Sequence, residues 1–301
     1  MALLVAISMM GCPTAKKPEK EPSGLVKTTT PAMVPIDTAK ASKDVAELMR
    51  AVRMAHGQLG AVLGPHKFTG TSTVEILRGD TSLDKIDENV VLELGAKRNY
   101  RGIRNLSGDH GKEVIFLDGT LYLRPRYSKF HRRAPESKGE PVKLRNQLFS
   151  TLAQYMDPLA HIVDLGAATD TQFAGRSAHK IELKTLATPR ARTAEGFSQR
   201  KWRETIVGGS VSGHIILDKK TGAPLAANVT GEVQFTRKGE RLRMKISLGH
   251  AVADLGKAVA IAAPPADQVV DTLQRSRETD ERDRLLKGIA PPAGKSTIPS
   301  N

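Results

Sequence analysis

The residue types that ordinarily do chemistry are present in this 301-residue chain, but not at working spacings. Eight histidines, at 56, 66, 110, 131, 161, 179, 214 and 250, form no His-x-His or His-Glu-x-x-His pair that would set two metal ligands on one element. Each reads as a surface or strand-edge side chain. Gly288 to Ser296 (GIAPPAGKS) imitates a phosphate loop, yet five residues separate Gly288 from Gly294 where that loop needs four, and the Pro-rich tail lacks its strand-to-helix setting. Gly208-Gly209-Ser210 is a flexible turn before a strand, with no base and acid placed to activate the serine. The chain is therefore not read as an enzyme, and no cofactor is implied.

One cluster is chemically suggestive. Arg124, Arg126, Lys129, His131, Arg132 and Arg133 interleave with Tyr127 and Phe130, and Arg241, Arg243 and Lys245 share one strand face. Such a surface is a solvated face, a nucleic-acid site using phosphates and stacking, or a membrane contact worth about 1 kcal/mol per charge. The export-type N-terminus described below favours lipid over nucleic acid, so no nucleic-acid partner is expected. Arg124, Arg126, Lys129, Arg132 and Arg133 are the candidates for contact with anionic headgroups. The net charge of +14, from 46 Lys and Arg against 32 Asp and Glu, is in keeping with acidic partners at low salt. With aromatic content at 4%, any apolar cavity must be lined by aliphatic side chains.

The lone cysteine, Cys12, excludes an internal disulfide and a CxxC site. It follows an apolar run, Met1 to Met10, that is too short for the roughly 20 residues of a membrane span. Met9-Met10-Gly11-Cys12 resembles the bacterial lipobox, in which a signal peptide is cut before a cysteine that is then diacylated. The alternative is an incidental cysteine after an apolar start. On the first reading residues 1–11 are a signal peptide, Cys12 carries lipid, and 12–40, rich in Pro, Lys and Thr, is a disordered membrane tether. No Lys or Arg precedes the apolar run, which suggests a start of translation further upstream.

What must position any site is β structure. Val211 to Leu217, Leu225 to Phe235 and Leu242 to Leu248 alternate apolar and polar residues, separated by the turns Asp218 to Gly222 and Arg237 to Glu240, which predicts three antiparallel strands with one dry face. Phe68 to Ile76 and Asn89 to Arg101 add strands, with Gly79 to Glu88 a polar turn between them. Asp118-Gly119 turns a hairpin within Glu113 to Arg126. Ala174 to Leu183, Trp202 to Ile206 and Val252 to Ala263 complete the strands. Ser42 caps a helix carrying Val45, Leu48, Met49, Val52 and Ala55 on one face, with Gly57, Gly60 and Gly64-Pro65 ending it. A second helix spans Pro141 to Leu165 and is kinked or split at Pro158. Asp267 to Lys287 forms a charged, weakly amphipathic helix before a flexible tail. This order predicts an α+β domain over 41–266, an open antiparallel meander with helices on one face, followed by 267–301 as charged helix and tail.

The hairpin VIFLDGTLYLRP, the helix after it, AGRSAHKIEL, and the meander GHIILDKKTGAPLAANVTGEV resemble the bacterial periplasmic lipoprotein-carrier superfamily, the outer-membrane lipoprotein-sorting type. The likeness spans about 41–266 and includes a D-x-x-T-G-x-P-L turn at Asp218, Thr221, Gly222, Pro224 and Leu225. It implies an unclosed antiparallel β-barrel with amphipathic helices over its concave face, and an apolar slot that takes lipid or the acyl chains of a lipoprotein. By that resemblance the protein is a carrier or receptor in the bacterial cell envelope, lipid-anchored at the outer membrane and facing the periplasm, with lipid or an acylated protein as partner. Val229, Val233, Phe235, Leu242, Met244 and Ile246 are the expected slot lining. The same face equally suits a sealed core, which would make the chain a structural or interaction lipoprotein that carries nothing.

Overall fold

The computed structural model describes residues 35–191, 198–257 and 259–271. Strand alternation builds a single sheet of twelve strands among the described residues. They are β1 (His66–Arg78), β2 (Thr81–Leu94), β3 (Tyr100–Leu106), β4 (Gly111–Leu117), β5 (Thr120–Pro125), β6 (Phe130–Arg133), β7 (Val163–Phe173), β8 (Arg176–Thr185), β9 (Gly208–Asp218), β10 (Pro224–Arg237), β11 (Glu240–Ala253) and β12 (Val269–Val270). Their spatial order is β12-β6-β5-β4-β3-β2-β1-β11-β10-β9-β8-β7. All pairs are antiparallel except β12 with β6. Strands β12 and β7 stand at opposite ends and do not pair, so the sheet is an unclosed barrel. One long-range join holds it together: β1 registers with β11 from Lys67 opposite Ala253 to Leu77 opposite Arg243.

The hairpins form where turn chemistry was expected. Asp118 and Gly119 both take positive φ (45° and 86°) between β4 and β5, the conformation that Asp-Gly adopts at low cost. At the β9–β10 turn the Asp218 carboxylate accepts from the Thr221 amide (2.9 Å) and hydroxyl (2.6 Å), and Arg176 donates to both its oxygens (2.8 and 3.0 Å). The D-x-x-T-G motif is thus a structural turn, pinned from the neighbouring strand.

Five short helices cover one face: α1 (Thr38–Ala41), α2 (Val45–Val52), α3 (His56–Leu63), α4 (Glu140–Phe149) and α5 (Thr151–Leu159). Leu48, Met49 and Val52 of α2 join Leu152, Tyr155, Met156 and Leu159 of α5 in one apolar cluster with the sheet. Leu59 and Leu63 of α3 join Leu144, Leu148 and Phe149 of α4 in a second. No helix among the described residues is long and apolar enough to cross a membrane.

Several local expectations give way. Asp44, not Ser42, caps α2 by accepting from the Ala46 amide, and Ser42 instead ends α1. The glycines after α2 do not end a helix at Gly57 or Gly60; α3 runs through both and stops at Gly64. The segment 79–88 is no turn: β2 begins at Thr81. Its first residues, Thr81 to Lys85, are exposed or half-buried on both faces, Leu83 included, which removes the alternation that marks a half-buried strand. Residues 96–98 form a 3₁₀ turn, so β2 and β3 are two strands and not one. The long helix splits at Ser150 and not at Pro158, which falls in the last turn of α5, where a missing amide matters little. Its expected end, from Val163, is edge strand β7. Residues 202–205 belong to a 3₁₀ turn and not a strand, with the Trp202 ring 4.6 Å from that of Phe235. Described residues 259–265 pair with no strand, and 266–270 form a 3₁₀ turn and β12, not a helix.

The tether boundary also moves. Ile36 packs so closely that a Cβ at Gly222 would lie 2.4 Å from its own Cβ, Asp37 donates its amide to Glu47 (3.0 Å), and the Thr38 hydroxyl donates to the Lys219 carbonyl (3.1 Å). The folded body begins by Ile36. The segments expected to be signal peptide (1–11), lipidated cysteine (Cys12), tether up to 34 and charged helix beyond 271 lie outside the described residues.

Candidate functional site

The inner face of the sheet, beneath α4 and α5, is the candidate site. Its six expected lining residues come together there: Val229 and Val233 are fully buried, and Met244, Ile246, Phe235 and Leu242 are 1–7% exposed. All six belong to the cluster that α2 and α5 cover. In this structure the face is occupied by the protein's own side chains.

How the helices seat is specific. Phe149, at the end of α4, fills a notch at Gly102 of β3, where a Cβ would lie 2.1 Å from its ring carbon Cζ. Leu159, at the end of α5, fills another at Gly231 of β10, where a Cβ would lie 2.7 Å from its Cδ2. Two glycines 129 positions apart in sequence (231 − 102) thus make room for one helix pair. Gly102→Ala is expected to destabilise the protein by about 1–3 kcal/mol through overpacking, and Phe149→Leu in the same chain is expected to restore much of that loss. Urea denaturation of the two variants and their combination measures the coupling; independent, additive effects would mean that the ring does not seat on Gly102.

Two polar inclusions interrupt this apolar face. The first lies where the two clusters meet. Glu88 shares the inward parity of Ile86 and Val90, which belong to different clusters, and sits opposite Ser72 of β1. Its carboxylate accepts from Arg104 Nε (2.5 Å), Tyr155 Oη of α5 (2.5 Å) and Ser72 Oγ (3.2 Å). Glu88 and Arg104 are both buried, at 4% and 3% exposure. An ion pair in such surroundings is costly to form and costlier to break, so this one joins α5 to the sheet at a defined place.

The second inclusion is a group of imidazoles around Phe68. His56 of α3 and His250 of β11 each meet the Phe68 ring edge-on, with centroids 4.9 Å apart. His66 of β1 lies two residues before Phe68, and Arg145 of α4 exerts its charge on His56 and His66. Burial pushes His56 down to about 3, aided by the charges of Arg145, His66 and His250. Burial likewise pushes His250 down to about 4 and lowers His66 and Arg145. These imidazoles are neutral at pH 7. The expectation that each histidine lies at a surface or strand edge is therefore corrected for His56, His66, His161 and His250, all buried. Parity carried the signal: His66 continues the inward series of Phe68, and His250 continues that of Leu248.

The basic cluster resolves largely into internal ion pairs. Arg124 donates to Glu113 (2.5 and 2.8 Å) and lies 4.2 Å above the Phe130 ring. Arg126 pairs with Asp109 (3.3 Å), Arg132 with both oxygens of Asp271 (2.7 Å each), and Arg133 with Glu140. Lys129 is exposed. On the other strand face Arg243 pairs with Asp80 (3.0 Å). Carboxylates thus already balance four of the five proposed headgroup contacts. On the outer face Thr71, Thr73, Asp87, Asn89, Asn105 and Ser247 border a shallow polar groove of about 400 Å³. Among the described residues no group of three or more His, Cys, Asp or Glu is placed to hold a metal ion.

No family model matches the chain, and no curated protein matches it. Solved structures similar to it include members of the superfamily that the sequence resembles. A LolA superfamily protein from Nitrosomonas europaea is 8% identical, with 72% of this chain and 94% of that chain covered and a TM-score of 0.20. A putative outer membrane lipoprotein-sorting protein domain from Vibrio parahaemolyticus is 10% identical, with 81% and 97% covered and a TM-score of 0.20. The Pseudomonas aeruginosa MucA/MucB complex supplies a chain 20% identical, with 76% of this chain and 60% of that chain covered and a TM-score of 0.21. At such TM-scores the unclosed barrel stands on its own strand order, and its chemistry on its own residues.

Proposed function

We propose that this is a lipid-anchored protein of the bacterial envelope that binds lipid, or the acyl chains of a lipoprotein, between the inner sheet face and the α4–α5 pair, as carrier or receptor. One observation carries the reading: an apolar face on an unclosed sheet is sealed by two short helices whose Phe149 and Leu159 plug glycine notches. On this reading the two helices, joined through one irregular residue, Ser150, are the part that lifts to admit the chain. An acyl chain that replaces those plugs is worth about 0.8 kcal/mol per buried methylene. The rival reading, an interaction lipoprotein with a permanent core, is favoured by the 0–7% exposure of the six lining residues.

The two separate on Leu159→Ala, which frees the Gly231 notch. A carrier gains affinity for a dansyl-labelled undecanoic acid while losing stability. A permanent core loses stability and gains no saturable binding, and that result would remove the carrier reading. The anchor is tested apart: metabolic labelling with an alkynyl fatty acid should mark the wild-type chain and not Cys12→Ser, and equal labelling of both would end the lipidation reading.

A further inference from the structure

Four arginines among the described residues are buried: Arg104, Arg133, Arg145 and Arg203, at 3–7% exposure. Three are neutralised by a carboxylate, Arg104 by Glu88, Arg133 by Glu140 and Arg203 by Asp157. Arg145 is not. Its Nε has no hydrogen-bond partner, and its Cζ lies over the Tyr100 ring at 5.7 Å from the centroid, a contact that supplies no anion. The Tyr100 hydroxyl is already committed, donating to the Pro141 carbonyl at 2.8 Å. Of the two groups whose charge acts on it, the Tyr100 phenol favours the cation only when ionised, which burial resists, and Arg98 is a second cation. Glu140, on the same helix, is held by Arg133. A buried guanidinium without an anion is strongly disfavoured, and folds rarely retain one.

Other unsatisfied donors are buried in the same region. His56 is neutral, so one ring nitrogen carries a proton; the Phe149 carbonyl lies near it without completing a well-formed hydrogen bond. The fully buried Thr151 hydroxyl, at the start of α5, has no hydrogen-bond partner. It packs over Gly70, whose absent Cβ would lie 2.8 Å from Thr151 Oγ1 and 3.4 Å from the Phe68 ring that His56 touches. Arg145 Nη2 meets the chain beside His56, 2.8 Å from where a Cβ on Gly57 would stand. Arg145 and Phe149 are four residues apart on α4 and share its inner face, so a group bound at Arg145 abuts the place where Phe149 plugs the sheet.

We infer that Arg145, with the His56 donor beside it and the Thr151 donor on the Phe68 ring that His56 touches, receives the anionic head of the acyl ligand, a carboxylate or a phosphate, while the chain runs along the inner face. The chain's position rests on the proposed function; the anion site rests on the unpaired guanidinium. The structure thereby assigns a ligand class, anionic single- or multi-chain amphiphiles over neutral ones. The head enters as α4 lifts, since Arg145 travels with that helix.

Calorimetric titration of the full-length protein with dodecanoate, dodecyl phosphate and dodecanol, alongside Arg145→Met, tests both parts separately. Charge-assisted hydrogen bonds predict that at least one anion binds about tenfold or more tighter than dodecanol, and that Arg145→Met erases the preference while leaving dodecanol affinity unchanged. The preferred anion identifies the head as carboxylate or phosphate. Because the substitution removes a lone buried charge, the melting temperature of Arg145→Met should equal or exceed wild type, which controls for folding. If all three amphiphiles bind alike, or the variant keeps the preference, the anion site is overturned and acyl binding stands. If no long-chain probe binds, butyrate and inorganic phosphate are titrated against the histidine side-chain NMR signals. Saturable shifts of His56 that vanish in Arg145→Met uphold the anion site without the acyl reading, and no shift overturns the site.

Discussion

Between pH 7 and pH 5 the protein is expected to lose on the order of 4 kcal/mol of folding stability, before its structural carboxylates begin to titrate. His56 and His250 are responsible. Burial holds their folded-state values near 3 and 4, against about 6.5 in the unfolded chain. Below 6.5 the unfolded chain takes up protons that the folded one refuses, so stability is complete above that value. It falls as pH drops toward 4 for His250 and toward 3 for His56, by up to about 1.4 kcal/mol per unit for each. The groups facing them reinforce the direction: Arg145 from α4 and the other imidazoles oppose a new positive charge. Glu140 and Asp87 act in the same direction but in a lower window: held below their ordinary values by the Arg133 and Thr73 hydrogen bonds, they lose their contribution only in stronger acid. Urea melts at pH 7.5, 6 and 5 read the slope directly, and the double substitution His56→Leu, His250→Leu should flatten it. A wild-type protein as stable at pH 5 as at pH 7.5 would mean that these imidazoles are reached by water.

Glu88→Ala is expected to cost about 3–5 kcal/mol, because it strands the Arg104 guanidinium in the core and leaves the Tyr155 and Ser72 hydroxyls without their acceptor. Glu88→Gln keeps shape and one acceptor oxygen, and should lose less. The informative comparison is Glu88→Leu combined with Arg104→Met, which removes both charges and fills their space; buried pairs replaced in this way are often neutral or stabilising. If the pair only joins α5 to the sheet, the apolar double variant should grip α5 more tightly and bind a dansylated acyl probe more weakly. Equal stability of Glu88→Ala and wild type would show that the carboxylate is not buried against Arg104.

Much of the scaffold was legible in local pattern. The alternation from Val211 to Leu248 became β9, β10 and β11 within a few residues of the expected ends, since one face of each is dry along most of its length. Asp118-Gly119 turned as expected because positive φ is a local property. Segments failed where burial did not alternate: the exposed start of β2, the exposed edge strand β7, and β6, four residues long. At the site, the burial of Val229, Val233, Phe235, Leu242, Met244 and Ile246 on one face was legible from parity alone. Glu88, His66 and His250 shared the same parity but were passed over, because a charged or titratable residue in an inward position reads as surface until its partners are known.

The amino-acid sequence by itself determined the local geometry of this protein: strand faces, most turns, and which side chains could reach an apolar interior. These depend on steric preference and on hydrophobicity at period two, which neighbours in the chain settle between themselves. Tertiary structure alone decided what fills that interior. Whether Val233 lines a slot or a core depends on Leu159 meeting Gly231, 72 positions along the chain (231 − 159), and Arg145 became a lone charge only when Glu140 turned to Arg133. Contacts of that kind are set by the closing of β1 on β11 and the docking of two helices, neither of which leaves a periodic trace in the chain.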